Sequence, residues 1–264
     1  MHAFEYAAPA SVADAAAALA NEDAKVLAGG QTLLPTMKQR LAAPSVLVDL
    51  RKIDGLSGIS REGDALVIGA MTRHADVAAS KVVQDAIPGL AALAALIGDP
   101  AVRHRGTIGG SLANNDPAAD YPAAALALGA TIVTNKREIA AGDFFKGLFE
   151  TALEDGEIIT KVKFPLPEKS AYEKFRNPAS RYAMVGVFVA KTKAGVRVAV
   201  TGAGSSGVFR HAAMEAALAG NFSAAAIAGV KTDASGLLSD LHGDADYRAH
   251  LVGVMARRAV EAAA

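Results

Sequence analysis

Two short glycine-containing bends far apart in the chain, Ala28-Gly29-Gly30-Gln31-Thr32-Leu33 and Thr107-Ile108-Gly109-Gly110-Ser111, constrain this sequence more than any other feature. Each borders an apolar run, and each joins glycines to a small hydroxyl residue. Glycine lets a backbone turn sharply and approach a ligand closely, and successive main-chain amides in such a turn form a concavity suited to phosphate oxygens. A strand entering a helix also uses glycine simply to reverse direction, so one such bend decides little. A diphosphate, however, can be held by amides at a helix start without any lysine. Thr32, Thr107 and Ser111 add hydroxyl donors, and two bends of this kind predict a bound dinucleotide.

The segments around the bends read as alternating helices and strands. Ser11 has the character of an N-cap, opening a helix to about Leu19. Lys25-Val26-Leu27-Ala28 reads as a buried strand, after which Leu33, Leu34, Met37 and Leu41 recur at helical spacing. With a strand at Val46-Leu47-Val48-Asp49-Leu50 and a turn at Asp54-Gly55, residues 1–54 form a first α/β lobe.

A second lobe over residues 55–167 holds a strand at 65–70, helices at 73–79 and 89–97 with Pro88 at the start of the latter, and the second bend. Asn114 to Pro122 is dense enough in turn formers to read as a loop. A helix from Ala123 to Leu128, a strand from Ala130 to Thr134, and strands near 157–159 and 162–164 follow. Pro165-Leu166-Pro167 breaks both helix and ladder and marks a boundary. Residues 168–264 predict an α+β unit: a hairpin of Tyr182–Lys191 with Val196–Thr201, then helices from about Arg210, from Ser223 and from Asp246.

Composition narrows the classes of function. Lysine plus arginine and aspartate plus glutamate both number 27, so the formal net charge is zero and nothing electrostatic recruits nucleic acid or an anionic membrane. With no cysteine, disulfides and Cys-ligated zinc or iron–sulfur sites on this chain are excluded. No run approaches the ~18 apolar residues of a membrane span, and Met1-His2-Ala3-Phe4-Glu5-Tyr6 is not a basic region leading into an apolar stretch, so cytoplasmic residence is expected.

Three further patterns compete for attention. Gly202-Ala203-Gly204-Ser205-Ser206-Gly207 fits G-x-G-x-x-G after a strand-like run, but no second strand ending in an acidic residue follows about 20 positions on, so it reads as a structural loop. His242 among Asp240, Asp244 and Asp246 alternates over a helix entry and reads as capping and solvation, with no metal expected. Arg103-His104-Arg105 could brace an anionic cofactor beside the second bend. No Ser–His–Asp set, paired carboxylates or P-loop is evident, so no catalytic residue is assigned and a bound cofactor must carry the chemistry.

The string Val26-Leu27-Ala28-Gly29-Gly30-Gln31-Thr32-Leu33-Leu34-Pro35, with Val48-Asp49-Leu50, Val102 through Ser111 and Asp116-Pro117-Ala118-Ala119-Asp120, resembles the FAD-binding medium subunits of molybdenum hydroxylases, the xanthine dehydrogenase and carbon monoxide dehydrogenase family. The likeness extends to Tyr172-Glu173-Lys174-Phe175, Arg181-Tyr182-Ala183 and Tyr247-Arg248, nearly the whole chain. It implies an α+β fold: a two-lobed FAD-binding domain of the vanillyl-alcohol-oxidase type followed by a small α+β unit. Carried over by position, it implies FAD contacts at Val26, Leu27, Ala28, Gly29, Gly30, Gln31, Thr32, Leu33, Thr107, Ile108, Gly109, Gly110, Ser111 and Asp120. Ile97, Ile159 and Lys174 match further flavin-pocket positions, and Tyr182 a place near the isoalloxazine.

The resemblance also implies partners: a small subunit with two [2Fe–2S] clusters and a large molybdopterin subunit, assembled as a dimer of heterotrimers, with only FAD on this chain. Electrons would pass from the clusters through FAD to an external acceptor. The alternative is a freestanding FAD-dependent oxidoreductase of related fold, which would need an acid–base pocket of its own; a scaffold that has lost its cofactor is a third, non-enzymatic reading.

Overall fold

The computed structural model describes residues 1–263. The chain opens with β1 (Glu5–Ala7), α1 (Val12–Ala18), β2 (Ala24–Leu27), α2 (Leu33–Lys38) and β3 (Val46–Asp49), the strands forming a parallel sheet in the order β1-β3-β2. Ser11 caps α1 as its residue type predicts, its Oγ accepting from the Asp14 amide at 3.1 Å. Leu27, Met37 and Leu47 pack together beneath the first bend. Leu41 lies three positions beyond α2 and is 76% exposed, so the helical spacing overruns the helix; Arg40, at φ 61°, has already turned the chain out of it.

The middle of the chain is a five-stranded antiparallel sheet covered by helices. It comprises β4 (Ile59–Glu62), β5 (Ala65–Gly69), α3 (His74–Ala79), α4 (Lys81–Ala86), α5 (Pro88–Ala95), α6 (Pro100–Arg103), α7 (Ile108–Asn114), α8 (Tyr121–Leu128), β6 (Thr131–Thr134), β7 (Glu138–Ala140), α9 (Ala141–Phe144), β8 (Phe145–Gly147), β9 (Glu150–Thr151) and β10 (Ile159–Pro165). Strand order is β4-β5-β10-β6-β7, with β8 and β9 a separate small hairpin. Leu66, Ile68, Leu90, Leu93, Ile108, Phe144 and Phe164 fill the core.

Two expectations change here. The strands read near 157–159 and 162–164 are one strand, β10, whose register against β6 shifts between Ile159 and Lys161. The polar stretch is only partly loop: α7 runs to Asn114, Asn115 ends it in the left-handed region at φ 43°, and α8 begins at Tyr121 with Pro122 in its first turn. Helix α8 is buried on nearly every side. It therefore lacks the apolar stripe that reveals a surface helix.

The remainder holds β11 (Lys169–Arg176), β12 (Ala183–Thr192), β13 (Gly195–Thr201), β14 (Phe209–Arg210), α10 (Ala212–Gly220) and α11 (Ala245–Ala262), with an antiparallel sheet in the order β11-β12-β13-β14. The helix expected from Ser223 is a single 3₁₀ turn, Ala224–Ile227. Strand β12 alternates between two cores. Val185, Val187 and Val189 face α10 and α11, whereas Phe188 and Ala190 join the core of the middle sheet. That alternation seats the last sheet on the middle one, and the turn end of the β11–β12 hairpin, Lys174 to Tyr182, reaches the site.

The G-x-G-x-x-G run is a turn between β13 and β14, not a strand-to-helix crossing. Gly202 sits at φ +81° with the Ala183 carbonyl where a Cβ would be, a packing reason for glycine. Among the described residues, no helix is long and apolar enough to cross a membrane.

Candidate cofactor site

The two bends meet. Gly29 lies so close to the second that a Cβ there would fall on the Arg105 carbonyl and within 2.6 Å of Gly106 Cα, while a Cβ on Gly110 would sit 3.6 Å from Ala28 Cβ. Between and beside them opens a cavity of about 1020 Å³. This is at the upper end of the roughly 300–1,000 Å³ typical of small-molecule sites. Its wall includes Val26, Ala28, Gly29, Gly30, Gln31, Thr32, Leu33, Ile97, Thr107, Gly110, Ser111, Asp120, Lys174 and Tyr182.

Four expected residues lie elsewhere. Leu27 points into the core beneath the first bend with Met37 and Leu47. Ile108 and Ile159 belong to the core of the middle sheet, and Gly109 is pressed against Ala70, whose Cβ would lie 2.6 Å from a Cβ there. They support the wall from behind. The cause is periodicity: alternate residues of a strand, and the inner face of a helix's first turn, turn inward.

The bends differ in what they can offer an anion. In the second, the amides of Ile108 and Gly109 donate to the carbonyls of Thr72 (3.1 Å) and Ala70 (2.8 Å). Those of Gly110 and Ser111 donate to Thr107 Oγ1 (3.2 Å) and Thr107 O (3.0 Å). In the first, the amides of Gly29 through Leu33 have no acceptor among the described residues. The first amides of a helix have no partner within it, and this run of free donors lining a cavity fits a diphosphate. In the second bend Thr107 spends its hydroxyl as the N-cap of α7, which leaves that bend the Thr107 amide, without an acceptor among the described residues, and the Ser111 side chain.

The cavity wall also holds a buried ion pair. Lys174 on β11, its side chain wholly buried, donates to Asp120 Oδ2 at 3.0 Å and to the Leu96 carbonyl at 3.2 Å. Tyr172 donates its hydroxyl to the other carboxylate oxygen. Burial pushes the Asp120 carboxyl up, against the pull of Lys174 and the Tyr172 hydrogen bond. Burial also raises neighbouring Asp116. Tyr182, 47% exposed, is part of the same wall.

The cavity also takes in residues that sequence reading passed over. Gly106 lies within the family-like string Val102 to Ser111 without a role of its own; its lack of a Cβ admits His74, and the lack of one at Gly29 admits Gly106. Phe149, at φ 56°, is brought to the rim by the β8–β9 hairpin, which Asn115 Nδ2 holds through the carbonyls of Gly147 and Glu150 at 2.8 Å each. Glu157 also lines the cavity. Burial would raise its pKa, but bonds from Arg137, the Glu154 amide and the Thr134 hydroxyl hold it down at about 2. None of these carried a local signal except the glycine.

Other sequence features prove structural. Arg103 braces the turn after α5, donating to the carbonyls of Ile97 at 2.9 Å and Gly98 at 3.3 Å. Asp240 pairs with Arg248 at 2.8 Å and Asp244 caps α11. Buried Arg248 donates to the carbonyls of Met184 (2.7 Å) and Gly202 (2.9 Å), tying α11 to the β12–β13 edge.

Comparison with known proteins agrees with this geometry. The profile of the family described as "FAD binding domain in molybdopterin dehydrogenase" matches residues 2–167. The chain is 39% identical over 277 residues to the carbon monoxide dehydrogenase medium chain of Hydrogenophaga pseudoflava, covering 98% of this chain and 96% of that one. It is also 39% identical over 275 residues to the nicotine 6-hydroxylase medium subunit of Paenarthrobacter nicotinovorans, with the same coverage. A solved structure of carbon monoxide dehydrogenase from Hydrogenophaga pseudoflava superposes with a TM-score of 0.89 at 39% identity, covering 99% of this chain and 97% of that one. Free amides facing a dinucleotide-sized cavity, and likeness along the whole chain, place this protein among the FAD-binding medium subunits of the molybdopterin dehydrogenase (molybdenum hydroxylase) family.

Proposed function

We propose that this chain holds FAD in the cavity between its bends and serves as the electron-transferring flavoprotein subunit of a molybdenum-containing hydroxylase or dehydrogenase. Electrons enter from [2Fe–2S] clusters on a small partner, themselves reduced by a large molybdopterin subunit, and leave to an external acceptor. The observation that carries this reading is the row of unpaired amides from Gly29 to Leu33 along the cavity wall.

The residues present fit the cofactor. The amides of the first bend take the diphosphate, aided by Thr32 and Ser111, and the absence of a Cβ at Gly29 and Gly110 keeps the two bends close. Asp120, Lys174 and Tyr182 mark the flavin end, where a buried cation and carboxylate set the local field and the mouth is open to an acceptor. FAD supplies the ability to accept and pass on electrons. The chain binds it, orients it, and shields the diphosphate from water.

Three units underlie this arrangement in the proposal: lobes 1–54 and 55–167 around the diphosphate, and 168–264 supplying Lys174 and Tyr182. The assembly we propose is a dimer of heterotrimers in the cytoplasm. Co-purification followed by flavin and metal analysis tests the reading. FAD on this chain, with iron and molybdenum only on co-purifying partners, supports it. Substrate-dependent flavin bleaching by the isolated chain would favour a freestanding oxidoreductase, and a colourless chain that takes up no FAD would sink both.

A further inference from the structure

Beneath the second bend lies a histidine to which neither sequence nor family likeness gave a role. His74 is the first residue of α3 and is 5% exposed. Its Nδ1 is buried with no hydrogen-bond partner, and its ring centroid lies 5.4 Å from that of Tyr121, whose buried hydroxyl is likewise unpartnered. The His74 amide donates to the Gly106 carbonyl at 3.0 Å, and a Cβ on Gly106 would come within 2.5 Å of His74 Nε2. Gly106 in turn abuts Gly29, where a Cβ would come within 2.6 Å of Gly106 Cα. Imidazole, Gly106 and Gly29 thus form one stack with no side chain between them, and the imidazole borders the cavity.

Resting on the FAD reading of this cavity, we propose that His74 is a positioning residue for the cofactor: its uncharged ring is the floor that holds Arg105–Gly106 against Gly29 and so fixes the free amides of the first bend.

The surroundings demand that the ring stay neutral. Arg103, the charged residue of α6, opposes a second positive charge. Helix α5 carries no titratable side chain, and α8 presents Tyr121, with Asp120 beside it already paired to Lys174. Lys81 and Asp85 of α4 are exposed and paired with each other, and Asp76 of α3, His104 and Arg105 are exposed. Burial first, and Arg103 second, hold His74 down at about 4. A group lowered in this way stabilises the closed arrangement fully above its ordinary value of 6.5, and that support is lost as pH falls towards 4. Acid therefore loosens the floor.

The test uses the full chain as wild type, His74→Ala and His74→Gln. It measures FAD Kd of the apo-protein by flavin fluorescence, flavin retained after desalting across a pH series, and apo-protein Tm. His74→Ala is expected to raise Kd about tenfold or more, the change that ~1.4 kcal/mol of lost support produces. Gln, planar and uncharged, restores much of the affinity near neutral pH and moves the acid midpoint of flavin release below that of wild type. Wild-type Kd in His74→Ala, or a wild-type release midpoint in His74→Gln, overturns the assignment. Should His74→Ala not fold, the midpoint of His74→Gln decides alone. A wild-type chain that takes up no FAD overturns the cofactor reading and this inference with it, an outcome distinct from normal uptake that the variants leave unchanged.

Discussion

The close approach at Gly29 sets a quantitative trap for the cofactor reading. A methyl at this position would lie 2.6 Å from Gly106 Cα and nearer still to the Arg105 carbonyl, whereas ordinary contact begins at 3.4 Å. Gly29→Ala must therefore open the gap between the bends by about 1 Å, because both obstacles are backbone and neither can swing aside. Overpacking of this kind costs roughly 1–3 kcal/mol in stability. The larger effect is on the ligand. The free amides begin at Gly29, and each hydrogen bond to a charged group contributes about 1.5–3 kcal/mol. Losing alignment of one of them raises the FAD Kd by roughly 10- to 150-fold. The assay is titration of apo-protein with FAD, with Gly220→Ala as control, since a Cβ there meets nothing within 4 Å. A folded Gly29→Ala chain that binds FAD within about threefold of the control would refute the claim that the first bend holds the diphosphate.

Two further outcomes follow from the buried charges. Glu157 is held at about 2, below its ordinary 4.5, so its contribution to stability is complete above the ordinary value and disappears as pH falls towards 2. Because its partner Arg137 is 42% exposed, solvent screening leaves the pair only a modest contribution. Glu157→Gln should lower Tm by roughly 2–4 °C near neutral pH, and a difference that persists in acid would show that shape, not charge, is responsible. Lys174→Met leaves the Asp120 carboxylate buried without its counter-ion and should cost about 3–5 kcal/mol. Replacing both partners with apolar residues should cost less than that single change, as denaturant unfolding would show; strict additivity would count against a coupled pair.

What was legible in the sequence is what depends on local chemistry. Glycines at 29 and 110, the N-cap at Ser11 and the proline opening α5 each act within a few residues, so their neighbours reveal them. The general position of the site followed from the bends for the same reason. Tertiary facts were not legible in this way. Asp120 and Lys174 are separated by 54 positions, and only the seating of β12 between two cores brings β11 to α8; family likeness supplied both residues, but not their pairing. That the second bend has fewer free amides than the first depends in part on the carbonyls of Ala70 and Thr72, which no local motif predicts. His74 was one of several scattered histidines, and its meaning comes wholly from what Gly106 lacks.

The signs of the charges around the cavity decide how an anion can be held there at all. Its lining includes Glu22, Asp116, Asp120, Glu154, Asp155 and Glu157 against Lys25, Lys136, Lys174 and Arg181. Lys174 is committed to Asp120, and Lys136 donates to the Asp155 carbonyl at 2.8 Å. The lining therefore holds no excess of cations, and net charge is not what attracts a diphosphate there. Main-chain dipoles can attract it, because they act at contact distance and vanish beyond it. Salt distinguishes the two modes by sign. Screening acts on long-range repulsion from the acids more than on buried hydrogen bonds, over a Debye length of about 8 Å at physiological ionic strength. FAD affinity should hold steady or improve as salt is raised. A Kd that rises steeply with salt would show instead that a lysine or arginine clamps the diphosphate, and the free amides of the first bend would then need another explanation.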